Sequence, residues 1–385
     1  MASELILTNA RVVTRDAVFD GTVRVADGRI AAVERGRSRV AGALDCEGDL
    51  LIPGLVELHT DNLERHVAPR PGVVWPSLPA LAAHDAQLAA AGITTVLDAL
   101  AVGADREDGL RRRILAEAAE AVRTARAAGL LRADHFLHMR LELSDPAVAE
   151  LFTPFAGDPL VRLVSLMDHT PGQRQWRDLE KYRLFDARIG CWTPAELERW
   201  LAERVAQQRR WAGPNRRTLV ALCRAQAIRL ASHDDATPEH VAEAAADGIA
   251  IAEFPTTREA AEHARARGMG IVMGAPNIVR GGSHTGNVAA GALAEAGLLD
   301  ALASDYVPTS LLHGALLLER HGIALPAAVA AVTANPARMA GFDDRGEIAP
   351  GLRADLVRVG LIHAEAAGGH VPFVRTVWRE GRRVV

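Results

Sequence analysis

Cysteine is scarce in this chain: Cys46, Cys191 and Cys223 are odd in number, far apart and form no C-x-x-C pair. That spacing excludes a disulfide framework and a zinc finger, and it suits a reduced, cytoplasmic setting. Long apolar runs are missing too. No segment approaches the roughly 18 residues that a membrane-spanning helix needs, and the opening MASELILTNARVV holds few apolar residues before Asn9 and Arg11. A soluble protein with no membrane partner is therefore expected. Positive charge is not in excess, since 44 Lys and Arg against 48 Asp and Glu leave a net charge of −4. This argues against a nucleic-acid partner. No G-x-S-x-G elbow occurs and no glycine-rich phosphate turn follows the first strand of the central region, so a serine nucleophile and an open dinucleotide-type sheet both lack their signatures.

What the chain does have is histidine, 14 in all, recurring at the ends of apolar strand-like runs. The 385 residues are enough for one large barrel with a small accessory domain. Residues 1–53 read as short strands and turns, including an Asp27-Gly28 hairpin signal, and residues 343–385 return to strands and glycine turns. One small β-sandwich domain built from both chain ends is expected. Between them, residues 54–342 alternate apolar strand-like runs with alanine-rich amphipathic segments, the βα pattern of a parallel sheet covered by helices. Eight such runs can be counted: LLIPGLVELHTD, TTVLDAL, DHFLHMRLEL, LVRLVSLMDH, AIRLASHDD, IAIAEFPTT, GIVMGAPN and LLDALASDYVP. Eight strands close a (β/α)8 TIM-type barrel, whose active-site groups sit at the C-terminal ends of the strands.

Those ends carry the chemistry. His59 and Asp61, two residues apart, share one face where the first run ends, and imidazole with carboxylate suits zinc or a similar divalent ion. In the third run His138, Arg140 and Glu142 alternate, a row of polar groups that fits a strand lining a polar cavity. The fourth ends in Asp168-His169, on opposite faces, of which one is expected to look inward. The fifth places His233 towards the metal, with Asp235 either joining the site or starting the next loop. Glu253, ending the sixth, needs a cation, a metal or a donor if buried. Asp305, ending the eighth, is the expected proton-transfer residue. A bound divalent ion would lower the pKa of water from about 15.7 to about 7, which such a set of ligands permits. The stretch GAPNIVRGGSHTGN adds an anion site: Gly281-Gly282 for close backbone approach, and Arg280, Ser283 and His284 as donors. Arg65 and Arg70, just past the first strand, meet the same anion or pair with surface acids.

In order, LLIPGLVELHTDN, HDAQLAAAGITTVLDAL, LVSLMDHTPGQRQW, LASHDDAT, IAEFPTT, MGAPNIVRGGSHTGN and SDYVPTSLL resemble the PhnM family of the amidohydrolase superfamily, and the similarity continues through GEIAPGLRADLV and VWREGRRV. The resemblance implies hydrolysis of α-D-ribose 1-methylphosphonate 5-triphosphate, a phosphorylated ribose, to the 5-phosphate and pyrophosphate in phosphonate breakdown. It also implies one or two divalent ions, zinc by preference. By superfamily logic His59 and Asp61 form the first-strand metal pair, His233 the fifth-strand ligand and Asp305 the acid-base group. Three departures stand out. Asp61 replaces a second histidine, the bridging carboxylated lysine has no counterpart, so that Glu142 and His169 become candidate ligands, and Glu253 stands where the sixth strand usually offers histidine. Two other readings compete: an amide hydrolase acting on an N-acyl amino sugar or cyclic amide, and a non-catalytic barrel scaffold. The connection between Thr170 and Ile228, with Trp176, Tyr182, Trp192 and Trp211, is expected to cover the site, to pack internally or to form a homo-oligomer contact.

Overall fold

A computed structural model describes residues 4–103, 110–186, 193–283, 285–364 and 369–385. Cys191, Trp192 and His284 lie outside the described residues. All eight central runs contain strands: β1 (Leu55–Thr60), β2 (Ile93–Val102), β3 (Asp134–Glu142), β4 (Val161–Met167), β5 (Arg229–His233), β6 (Ile251–Glu253), β7 (Gly270–Gly274) and β8 (Ala301–Ala303). They hydrogen-bond in sequence order and in parallel, as short βαβ connections with helices outside require. Closure falls between β8 and β1. Asp61 N donates to Asp305 O at 2.8 Å, and Asp305 N donates to His59 O at 2.9 Å. Below that pair the buried Glu57 carboxylate accepts from His59 N at 2.7 Å and Ser304 N at 2.8 Å. Three-residue β8 is too short to form a full ladder, and a side chain takes over part of its role.

Strand alternation layers the barrel. Phe136, Leu163, Ala231 and Ile251 belong to one inner apolar cluster with Val56, Leu97 and Phe342, which fills the barrel floor. Two residues further along the same strands come His138, Ser165, His233 and Glu253, all buried, so the next layer up is polar. A larger cluster packs the outer faces of the strands against the helices. Among the described residues no helix is long and apolar enough to cross a membrane.

The chain ends form a separate sheet in which Leu5–Val13, Val18–Ala26, Arg29–Arg35 and Leu50–Pro53 join Leu356–Ala364 and Gly369–Arg379. The sheet is one hydrogen-bonded surface, and side chains from its distant strands, Ile30 and Trp378, share a single core with Leu7, Val23 and Leu51. The run LLIPGLVELHTD is thus divided between two sheets. Gly54 is the joint, because a Cβ there would lie 2.2 Å from Thr94 Oγ1. Asp134 at the base of β3 ties the sheets together through Arg345 at 3.0 Å, Arg353 at 2.7 Å and Arg379 at 3.2 Å.

A second polar cluster, unanticipated from sequence, lies between β2, β3 and the helix Ser77–Ala90. Asp98 accepts from His84 Nε2 and His135 Nδ1, each at 2.7 Å, and His135 Nε2 donates to Asp85 at 3.3 Å. Asn62 Nδ2 donates to His84 Nδ1 at 2.9 Å, which leaves His84 neutral. Burial favours that neutral form and lowers His84, while for His135 burial is again the largest single influence but the charges and hydrogen bonds of Asp98 and Asp85 together exceed it and raise the imidazole to about 9. Asp98, where burial is likewise overcome by His135, is held below the usual carboxylate range. A raised histidine contributes stability that is full below about 6.5, its unfolded value, and is lost as pH rises through about 9. The lowered His84 contributes fully above about 6.5 and loses that contribution as pH falls, and Asp98 adds a further loss in acid. Denaturant unfolding should therefore show greatest stability near neutral pH and a decline towards pH 9. Asp98→Asn is expected to cost about 3–5 kcal/mol and to flatten the alkaline decline; an unchanged midpoint would show the cluster to be energetically idle.

Candidate active site

Three imidazoles reach the barrel mouth from β1, the end of β4 and β5, and each has its Nδ1 tied to a carboxylate. Glu253 Oε1 accepts from His59 Nδ1 and Glu253 Oε2 from His233 Nδ1, both at 2.7 Å, while Glu142 Oε2 accepts from His169 Nδ1 at 2.9 Å. Such bonds fix the tautomer and leave Nε2 as the free face of each ring. Phe254 packs on the His59 and His233 rings at centroid distances of 5.1 and 5.5 Å, which limits their rotation. Beneath them Ser165 Oγ donates to Glu253 Oε2 at 2.7 Å and lies 2.5 Å from His138 Nε2.

Carboxylates face the open nitrogens. His59 Nε2 is 3.4 Å from Asp61 Oδ1, His233 Nε2 is 3.5 Å from Asp234 Oδ2, and His169 Nε2 is 3.9 Å from the same Asp234 oxygen. Two groups result, His59–Asp61–Asp305 and His169–His233–Asp234, each with its donor atoms within 4.8 Å of one another. Arg140, with NH1 donating to Asp61 Oδ1 at 2.6 Å, is the cation that enters this acidic cavity. The residues fit a divalent ion: His59 Nε2 is buried without a hydrogen-bond partner, and nitrogen and oxygen donors surround it. Burial is the largest single influence on the His59 imidazolium and works against it, but the Glu253 charge and the hydrogen bonds to Asp61 and Glu253 together exceed it and raise the ring to about 10. Cation binding must then expel a proton.

Backbone conformation aims the acids. Asp234, Phe254 and Asp305 follow β5, β6 and β8 in the left-handed region, with φ of 56°, 53° and 56°. Turning the chain there breaks strand alternation, so that Asp234 faces the cavity next to His233 instead of pointing away. Asp305 is raised by burial and by the neighbouring Asp61 charge, which suits a group that takes up and returns a proton.

The sequence-based candidates sort by position. His59, Asp61, His169, His233 and Asp305 converge on one mouth. Glu142 and Glu253, expected as ligands, lie on the Nδ1 side of the histidines and accept hydrogen bonds from them, and Glu253 also forms a buried donor group with His59 and His138. Asp235 is turned away by an ion pair with Arg174, which also donates to His233 O at 3.0 Å. Arg280 and Ser283 line a cavity that reaches Asp234 and Asp305. The amides of Gly281 and Gly282, expected to face an anion, are spent on Ile278 O and Asn277 O, because Gly281 at φ 74° caps the helix Ala275–Arg280. Arg65 lies elsewhere, NH1 donating to Tyr306 O at 2.8 Å, and exposed Arg70 pairs by its backbone with Val73. Sequence reasoning missed Asp234, Asn277, Thr285 and Gln175 as lining groups. Gln175 comes from the long connection, in which Trp176 meets Tyr182 edge to face and Tyr182 stacks on Trp200 of the helix Pro194–Ala225.

The chain is 48% identical over 383 residues to the α-D-ribose 1-methylphosphonate 5-triphosphate diphosphatase of Escherichia coli (strain K12), covering 99% of this chain and all of that one. It belongs to that diphosphatase family, the PhnM group. Residues 220–384 match the amidohydrolase family model. Solved structures similar in fold include an N-isopropylammelide isopropylaminohydrolase from Burkholderia multivorans, at TM-score 0.64 and 19% identity over 99% of this chain and 98% of that one. A dihydropyrimidinase from Brevibacillus agri gives TM-score 0.63 and 13% identity over 100% and 95%. The chain thus carries an amidohydrolase-type barrel in which the Glu253 carboxylate supports two histidines from behind.

That placement is testable by metal titration. Glu253→Gln should weaken Zn2+ binding about 10- to 100-fold in calorimetric competition with a chelator, because both supported imidazoles lose their acceptor. Glu142→Gln should weaken only the group containing His169. Unaltered affinity in Glu253→Gln would remove its supporting role.

Proposed function

We propose that this chain hydrolyses α-D-ribose 1-methylphosphonate 5-triphosphate to α-D-ribose 1-methylphosphonate 5-phosphate and pyrophosphate, in the cytoplasm, as a step of phosphonate breakdown. The observation that carries this reading is the junction of two imidazole–carboxylate groups with a cavity lined by Arg280, Ser283 and Thr285. Polyphosphate oxygens need both kinds of contact. The long identity with the diphosphatase of Escherichia coli supplies the substrate.

One or two divalent ions, zinc first among them, would be held by His59 and Asp61, with Asp305 beside them, and by His169, His233 and Asp234. When bound, such an ion lowers the pKa of water and offsets phosphate charge. The remaining work falls to the chain. Asp305, raised by burial and by Asp61, accepts the proton of the attacking water and returns it to the departing pyrophosphate oxygen. Water oxygen joins phosphorus as the phosphoanhydride bond breaks. Arg140 holds Asp61 in place and adds positive charge beside the developing negative charge. The Phe254 ring covers His59 and His233 and keeps bulk water from them. Arg280 offers a forked donor to the leaving phosphates. The substrate is a small anionic sugar, and a homo-oligomer is the assembly proposed, with the aromatic connection after Thr170 as one surface.

Incubation with the ribosyl triphosphate, followed by phosphorus NMR, should show pyrophosphate and the 5-monophosphate; release of inorganic phosphate alone would overturn the reading. Asp305→Asn is expected to keep the fold and bound metal and to lower kcat by about 100- to 10,000-fold. His59→Ala should lose metal as well as turnover. Equal metal loss in the two variants would make Asp305 chiefly a ligand.

A further inference from the structure

The arginines that flank the barrel mouth fall into two separate cavities, one on each side of β8. Asn277, Arg280, Ser283 and Thr285 line the first, which also touches Asp234 and Asp305. Asn62, Arg65, His66 and Gln87 line the second. Tyr306 borders both. The division follows from topology: β7 and its loop adjoin β8 on one side, and β1 with the segment that follows it adjoins β8 on the other. A single phosphate group cannot occupy both.

We propose that Arg65, with His66 beside it, forms a second anion subsite, specific for the phosphonate end of the substrate, while the Arg280 cavity takes the polyphosphate end. The inference rests on the reading of the substrate given above, a ribose with an anion at either end. Only the Arg280 cavity is lined by acids of both candidate metal groups, Asp234 and Asp305, so the bond that breaks belongs there. The uncut end must leave the mouth past Tyr306. The donors on that side are held in place: Arg65 NH1 donates to Tyr306 O at 2.8 Å, and His66 Nε2 donates to Gln87 Oε1 at 2.9 Å. Gln87 in turn accepts from Asn62 Nδ2 at 2.9 Å, which anchors the group to the buried helix face. The hydrogen-bond partners of Arg65 and His66, Tyr306 O and Gln87 Oε1, are both neutral, although the protein as a whole carries more acids than bases. The rest of the Arg65 fork therefore stays available to a phosphonate oxygen.

The test compares two substrates that differ only at the far end, the ribosyl 1-methylphosphonate 5-triphosphate and ribose 5-triphosphate, with zinc-loaded protein. Arg65→Ala should raise KM for the first by about 10- to 100-fold, the range of a lost charge-assisted hydrogen bond, and for the second by less than about 2-fold. Arg280→Ala should raise KM for both alike. Calorimetric titration with methylphosphonate alone should give binding to the wild type and a loss in Arg65→Ala. Equal KM rises on the two substrates, or a methylphosphonate affinity that Arg65→Ala leaves untouched, would overturn the subsite. Failure of the wild type to release pyrophosphate from either triphosphate would instead strike at the proposed reaction, and the methylphosphonate titration still decides the subsite.

Discussion

The Glu253 carboxylate, with an imidazole on each oxygen, is the contact on which the rest of the mouth depends. A fully buried carboxylate is costly unless it is well supplied with donors, and this one has three: His59, His233 and Ser165. The arrangement fixes two rings from β1 and β5 relative to each other even though the strands are not neighbours in the sheet. It also explains how a barrel of this kind works without a histidine on its sixth strand. Asp234, one residue beyond β5, adds a carboxylate on the other side of the supported rings, next to His169 and His233.

The balance of charge follows from the same geometry. Asp61, Asp234 and Asp305 meet at one mouth with Arg140 as the nearby fixed cation, and burial makes their mutual repulsion expensive. Asp305 answers by shifting upward, and His59 by taking up a proton. Both responses are those of a cavity short of positive charge. The His84–Asp98–His135–Asp85 cluster is the opposite case. There each carboxylate oxygen is matched by a donor, Arg132 supplies an additional cation, and the group closes on itself. Two sets of buried acids and histidines within one fold therefore differ in function because one is electrically satisfied and the other is not.

Much of this was legible in the sequence because strand alternation is a local rule. Phe136, His138, Arg140 and Glu142 sit two apart, and the period alone places them on one face, with the apolar member at the floor. The strand-end residues His59 and His233 are readable for the same reason, whereas alternation leaves Asp168 and His169 undecided and Asp305 is placed by a turn. What escaped depends on single backbone angles or on distant neighbours. Alternation points Asp234 outward, and only a left-handed φ brings it in. The pair Gly281-Gly282 invites an anion, but helix capping claims its amides first. That Glu253 shares its oxygens with two rings from elsewhere in the chain is visible only in the fold. LLIPGLVELHTD reads as one strand because nothing local marks Gly54 as the boundary between two sheets; the constraint is Thr94, forty residues away.

The strained residues show where the fold gives up stability for the site. Asp234, Phe254 and Asp305 each adopt a left-handed backbone that a non-glycine residue enters only at a cost of order 1–3 kcal/mol. Glycine would relieve that cost but would remove the side chain that each turn exists to present. Asparagine would tolerate the angle almost as well as aspartate, yet it would bring no negative charge and no proton acceptor. The strain is thus sustained by neighbours that have no other reason to be so constrained: Asp234 N donates to Glu253 O, Phe254 N to Val272 O and Asp305 N to His59 O, each at 2.9 Å. Every one of these bonds runs from a turn to the adjacent strand. The turned residues are consequently held by the barrel itself, and the precision of the mouth derives from the regularity of the sheet beneath it.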